Sequence, residues 1–174
     1  GGGAPPAALY YFSTDRRKEH PTRHLTGWTG ILQADAYGGY NDLYRHDHKP
    51  APVRSALCWA HARRKFFELA DIKATARKGK KVAEEISPVA LEAVQRFDAI
   101  FDIEREINGL TAEARHDARQ RLVRPMVQDL HDWLRSERAR MSKHNPVAKA
   151  INYMFEEDGR WEAFTRFLDD GRIC

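Results

Sequence analysis

The sequence predicts an α/β fold in which helices dominate. Three observations point there. Apolar runs of strand length, Ala8–Ser13, Gly30–Tyr37 and Val53–Leu57, cluster in the first part of the chain. The spacers between them are short or helical, which favours a βαβ-type core. Beyond Lys81, apolar residues recur at helical spacing almost to the end.

Taken in order, Gly1 to Pro6 has no periodicity and no initiator Met, and reads as a loop from something larger. Ala8-Leu9-Tyr10-Tyr11-Phe12-Ser13 then reads as a strand leaving the core into the charged cluster Asp15 to Glu19. His20 to Trp28, with Pro21 in its first turn and Gly27 at its end, is predicted as one short helix. The next apolar run, Gly30 to Tyr37, meets a carboxylate, Asp35, near its C-terminal end and breaks at Gly38-Gly39. Val53–Leu57 is a second short strand running into a helix from Cys58 to about Ala70. Ser87-Pro88 is an N-cap followed by a first-turn proline, opening a helix that Asn108-Gly109 stops. Thr111 caps a second long helix, whose predicted inner face is Ala114, Ala118, Leu122, Met126, Leu130 and Trp133-Leu134, kinked at Pro125. With a three-residue connection, these two should pack as an antiparallel hairpin. Asn145-Pro146 opens a third helix, with Val147, Ala150, Ile151 and Met154 inward, and Asp158-Gly159 breaks it. Trp161, Phe164, Phe167 and Leu168 form a last short apolar face before Gly171.

Composition narrows the function classes. At 174 residues the chain can bury one real core, or a small α/β unit with a helical appendage. No apolar run approaches the roughly 20 residues that span a membrane, so a membrane protein is not expected. Gly1 to Leu9 holds no charged leader region, and Cys58 and Cys174 are too far apart for a metal knuckle, which suits a reducing cytosol. Net charge is only +4, but its distribution is uneven. From Arg54 to Lys81, nine Lys or Arg face Glu68 and Asp71, a local excess of +7. Such a block is either a solvated face or the footprint of a polyanion.

Asp35 is the sharpest chemical feature. A carboxylate at the end of an apolar strand is desolvated unless it meets a cation, a donor or water. It could cap the turn through Gly38-Gly39, or offer a rigid oxygen ligand to a hard divalent cation. The second feature is Cys58-Trp59-Ala60-His61-Ala62-Arg63-Arg64-Lys65-Phe66, where an aromatic anchor and a cationic cluster share the start of a helix. Cations there oppose the helix dipole, which favours an anionic ligand. His20 and His24, and the run His46-Asp47-His48, have ligand-like spacing without further ligands nearby, and read as surface residues. Asp169-Asp170-Gly171 reads as a helix end. No phosphate-cradling glycine loop, nucleophile elbow or metalloprotease helix is present.

Leu32-Gln33-Ala34-Asp35-Ala36-Tyr37-Gly38-Gly39-Tyr40, followed by the Cys58 to Phe66 block, resembles transposases of the insertion sequence 66 family. Phe101 to Ile107, Ala148-Lys149-Ala150-Ile151-Asn152-Tyr153-Met154 and Arg166 to Ile173 resemble that family's helical region and its return to the catalytic core, so the likeness runs from about Leu9 onward. The stretch from Phe155 to Arg160 is somewhat longer than the likeness leads one to expect.

The resemblance implies a partial ribonuclease-H-like core over residues 1–80, an α-helical insertion over 81–155, and a return segment over 156–174. It implies a DDE-type enzyme that cleaves phosphodiesters and transfers strands in DNA transposition, with two Mg²⁺ (or Mn²⁺) ions. Asp35 matches the second acid of the family's triad and would be catalytic and a metal ligand. The first acid is expected before Gly1 and the third, a Glu, after Cys174, so the chain alone is expected to be inactive. His61, Arg63, Arg64 and Lys65 would bind DNA phosphate. Transposon ends and target DNA are the implied partners, in a homo-oligomeric, cytoplasmic, nucleoid-associated enzyme. Two other readings stay open: a non-catalytic DNA-binding or interaction remnant, and, more distantly, a hydrolase metal site built from His46, His48 and Asp35.

Overall fold

A computed structural model describes residues 7–70, 86–155 and 159–173. Helix α1 (Glu19–His24) leads to strand β1 (Ile31–Ala34). A 3₁₀ turn (Gly38–Tyr40) and α2 (Asn41–Tyr44) carry the chain over to strand β2 (Arg54–Leu57), which pairs with β1 in parallel. The register sets Ile31 opposite Arg54 and Ala34 opposite Leu57. Two further bonds extend the ladder, Arg54 N–H to Gly30 O (2.8 Å) and Cys58 N–H to Ala34 O (2.9 Å). Both strands therefore end at one level, and the chain turns at once into α3 (Trp59–Ala70).

The helices follow as α4 (Pro88–Glu106), α5 (Ala112–Ala118), a π turn (Arg119–Val123), α6 (Arg124–Ala139), α7 (Pro146–Phe155) and α8 (Arg160–Asp169). Their starts obey the predicted chemistry. The Ser87 hydroxyl accepts from Ala90 N–H and Thr111 from Ala114 N–H, satisfying amides that a helix N-terminus leaves open. Each such cap contributes about 1 kcal/mol. Gly159, the N-cap of α8, sits at φ 75°, a left-handed conformation that glycine adopts without strain.

One continuous core joins the strands to the helices. Trp59 sits at its centre, edge-on to Phe97 (5.4 Å), Phe164 (6.1 Å) and Phe167 (5.5 Å), and its indole N–H donates to Phe164 O at 2.7 Å. That bond lets a large aromatic be buried without stranding its polar atom. Helix α3 lies against α4 and α7, while α8 lies along β2 and donates from Arg166 Nε to Ser55 O (2.7 Å). After α8, Gly171 passes so close to the start of α5 that a Cβ there would overlap the Ala112 carbonyl.

Several expectations need correction. Residues 8–13 are not a strand: Leu9, Tyr10 and Phe12 are exposed, and among the described residues only β1 and β2 share a ladder. A strand needs a partner, and the aromatic run finds only a ring stack of Tyr11 on His24 (4.0 Å). Helix α1 ends at His24, short of Trp28, in a turn that Gly27 completes at φ 72°. The inner face of α5 and α6 is also shifted by one residue in its first half. Ala118 is buried as expected, but Arg115, Arg119, Val123 and Val127 also point inward, whereas Ala114 and Leu122 are exposed. Tracing apolar letters bypasses two arginines that are buried because they are paired. Arg119, 1% exposed, donates to both Glu104 oxygens and to Phe167 O (2.9 Å). The predicted kink at Pro125 is instead this π turn, which ends just before it.

Candidate active-site cleft

Asp35 stands one residue beyond β1, at the carboxyl end of a parallel pair, where open α/β sheets place ligands. It does not cap the following turn, whose N-cap is Tyr37 and which takes no side-chain bond. Glycine is needed in that turn for space: a Cβ on buried Gly39 would overlap the Tyr37 ring. Among the described residues, the carboxylate's ion-pair partner is His61 Nε2 at 4.0 Å, and both side chains are about one-third exposed (34% and 39%). The parallel register explains their meeting. Strands that end level deliver the residues after Ala34 and after Leu57 to the same place.

The carboxylate opens on a cleft of about 380 Å³ whose far wall is the first turns of α8. Arg54, Arg160 and Arg166 line it with Tyr44 and Glu162, so three basic and two acidic residues share its walls. Arg166 is held by Ser55 O, and Arg160 donates to Tyr153 O (3.2 Å). Burial raises the Tyr44 hydroxyl above its ordinary pKa; the Ser55 side chain opposes this and the negative charge of Asp35 adds to it. The hydroxyl itself is buried behind the cleft wall.

The four cationic candidates on α3 divide. His61 faces Asp35. Arg64 is exposed, and Lys65, also exposed, lies over the Tyr153 ring at 4.2 Å. Arg63 turns to α4, where Nε and Nη2 grip Asp98 at 2.6 and 2.9 Å and the guanidinium covers Phe67. Hydrogen bonding to Asp98 raises its pKa further, so this arginine is engaged with a carboxylate. The rest of the predicted basic block, from Asp71 to Lys81, lies outside the described residues.

Tyr153 connects these parts. Its hydroxyl accepts from Ala36 N–H (3.3 Å), which ties the residue after Asp35 to α7. Sequence reasoning missed Tyr44, Tyr153, Arg160, Glu162 and Arg166. Tyr153 lies on a helix that packs on α3, and Arg160, Glu162 and Arg166 on one that packs on β2, and no local spacing reveals that packing.

The other candidates do not gather. His20 pairs with Asp15 (2.7 Å), His48 meets Trp28 O (3.1 Å), and Asp47 is bound by Arg45, whose hydrogen bond lowers it to about 2. Among the described residues no group of three or more His, Cys, Asp or Glu could hold a metal, and no helix is long and apolar enough to cross a membrane.

A strand-end carboxylate facing an arginine-lined cleft is an arrangement suited to phosphate-containing ligands. The family model described as "Transposase IS66 family" matches residues 1–174, and the chain belongs to that family. Three relatives from Sinorhizobium fredii are similar to it. The protein named "Uncharacterized protein y4hP" is 53% identical over 174 residues, y4jD is 39% identical over 174, and y4qI is 32% identical over 176. The matches cover 99–100% of this chain but only 30–31% of the relatives, so the chain spans under a third of their length. No solved structure matches it.

Proposed function

We propose that this chain forms part of the catalytic region of a DDE-type transposase, with Asp35 as one of its metal-binding acids. The observation that carries this reading is the placement of Asp35: level with the end of a parallel pair, partly open, and on a cleft that arginines help to line. In this reading β1, β2 and α3 belong to a ribonuclease-H-like core over residues 1–80. Residues 81–155 are the helical insertion and 156–174 the return.

The donors fit a hard divalent cation in kind. Asp35 has no hydrogen bond among the described residues that would occupy its oxygens, and Glu162 opens on the same cleft. Mg²⁺ or Mn²⁺, if held by Asp35 and acids outside the described residues, would supply positive charge to a scissile phosphate and acidity to an attacking hydroxyl. The chain's own residues do the rest. Asp35 holds an oxygen ligand rigidly at the strand end, with the His61 imidazole beside it. Arg160 and Arg166 set positive potential along the far wall, pre-oriented by the carbonyls they bind. Arg64 and Lys65 meet DNA phosphates at the rim without reading bases; Arg63, bound to Asp98, serves there only if DNA displaces that carboxylate.

Asp35→Asn, made in a chain extended to the relatives' length, is expected to abolish Mg²⁺-dependent cleavage and joining of transposon-end DNA while leaving the circular dichroism spectrum unchanged. Near-normal cleavage by that variant would remove Asp35 from the site. Loss of DNA binding together with cleavage would instead favour a binding role.

A further inference from the structure

The charged run Asp15 to Glu19 stands beside the turn that follows Asp35. Lys18 pairs there with Asp42 at 3.1 Å, and α1 packs on the 3₁₀ turn. The three cations of the run take different partners. Arg17 pairs with Asp15 (3.2 Å) and Lys18 with Asp42, whereas Arg16 goes to a ring, its Cζ 5.4 Å from the centre of Tyr37. Asp15, its neighbour in the chain, is taken by Arg17 and His20, and among the described residues Arg16 has no carboxylate partner. Tyr37 is a fixed seat. Its ring is half-buried, Tyr40 meets it edge-on at 5.5 Å, and the close approach of Gly39 leaves no room for a Cβ. Tyr37 also lines the Asp35 cleft, two residues beyond the carboxylate.

The same construction recurs at Lys65. Its Nζ lies 4.2 Å from the centre of the Tyr153 ring, and the Tyr153 hydroxyl accepts from Ala36 N–H. Lys65 too is exposed and has no carboxylate partner among the described residues. Ala36, next to Asp35, is thus followed by one tyrosine that carries a cation and bonded to another that does. A cation seated on an aromatic ring is held in place without being neutralised, because the ring attracts it but carries no net charge. For an arginine the N–H donors remain in the guanidinium plane, in a fork that fits two oxygens of one phosphate. A carboxylate partner would have occupied that fork. We infer that Arg16, seated on Tyr37, binds a backbone phosphate of the DNA whose scissile phosphate lies in the Asp35 cleft, as Lys65 on Tyr153 binds another. Contacts of this kind fix the strand in register and read no bases.

This assignment rests on the reading of the cleft as a DNA-cleaving site, and binding alone tests it, in the chain extended to the relatives' length and without divalent metal. Affinity for two unrelated DNA duplexes is followed by fluorescence anisotropy as salt is raised. Arg16→Gln is expected to lower the salt slope by about 0.9 on both duplexes, the share of one phosphate, and to weaken binding roughly eightfold at about 0.1 M salt. Adding Lys65→Gln should lower the slope by about as much again. Arg17→Gln removes the same charge one residue away and should leave the slope nearly unchanged. Tyr37→Phe keeps the ring and should bind like wild type, whereas Tyr37→Leu keeps the charge without its seat and should weaken binding in the direction of Arg16→Gln. Equal losses from Arg16→Gln and Arg17→Gln would reduce Arg16 to net charge and overturn the site. An unchanged slope in Arg16→Gln, or a loss on one duplex only, would overturn it as well, and Tyr37→Leu binding like wild type would overturn the seat. None of these outcomes touches the Asp35 reading, which stands or falls with cleavage by Asp35→Asn. Failure of the wild-type chain to bind either duplex overturns both.

Discussion

The helical arm and the strand pair solve the same problem differently. From α4 to α6 the arm draws its main polar bonds from itself and its neighbours: Ser87 and Thr111 cap their helices, and buried Arg119 is bound to Glu104 and to the end of α8. Phe97, Ile100, Leu130 and Leu134 are at most 1% exposed. The strand pair has only four residues on each side, and no residue of β1 is fully buried. What holds it comes from elsewhere, through Tyr153 on Ala36, Arg166 on Ser55, and Trp59 buried against α8. The carboxylate thus sits on the least self-sufficient element, and its position is set by the helices around it. Rigid support around a locally weak segment is how a site can be held accurately while its own strand remains thin.

That contrast can be broken most directly at Arg119. Replacing it with Met leaves Glu104 without its buried cation and the Phe167 carbonyl without a donor, a loss of about 3–5 kcal/mol. For a chain of this size that corresponds to a fall in melting temperature on the order of 10 °C. A fall of only a degree or two would mean that the arm does not depend on its internal polar bonds. Tyr153→Phe sharpens the comparison at lower cost. Losing the Ala36 bond should destabilise by about 1 kcal/mol, and the effect should concentrate in the strands. Amide exchange is expected to quicken across residues 31–36 while residues 90–105 hardly change, and uniform acceleration would refute the view that order is lent from the helices to β1.

The smallest effect is pH-dependent. Bonds from Arg172 hold the Asp170 carboxyl down at about 2 where the chain leaves α8. A lowered carboxylate stabilises the fold above its unfolded pKa, about 3.9, and that contribution disappears as pH falls from there towards 2. Wild type should therefore exceed Asp170→Asn slightly in melting temperature at pH 6, with the gap closing by pH 2. A gap that persisted at pH 2 would assign the effect to something other than this charge.

How much was legible in the sequence follows from the range of each interaction. Ser87-Pro88, Thr111 and Asn145-Pro146 mark helix starts because caps act within three residues, and helices do begin at Pro88, Ala112 and Pro146. The strands at 31–34 and 54–57 were visible as short apolar runs. Arg119 was not, because its partners lie 15 and 48 residues away and only the fold makes an arginine an interior residue. Asp35 stood out as a carboxylate ending an apolar run, and His61 entered through its cationic block. That they face each other depends on strand register, and that Arg166 completes the cleft depends on a bond spanning 111 residues. Arg63 looks like its neighbour Arg64 in the sequence, yet Asp98 binds one and leaves the other exposed.

The π turn bears on how the length of this chain can change. From Arg115 to Leu134 the inward stripe takes 19 positions, by difference of their numbers, to complete what five α-helical turns would complete in about 18. The surplus residue is absorbed at 119–123, where Arg121 and Leu122 face outward. Deleting either would let the turn tighten to ordinary pitch with α6 still aligned on its core. A deletion inside α6 would instead swing everything beyond it by about 100° and carry Leu134 off the interior. Along this arm, a one-residue deletion should therefore cost less stability at the wide turn than in the helix that follows.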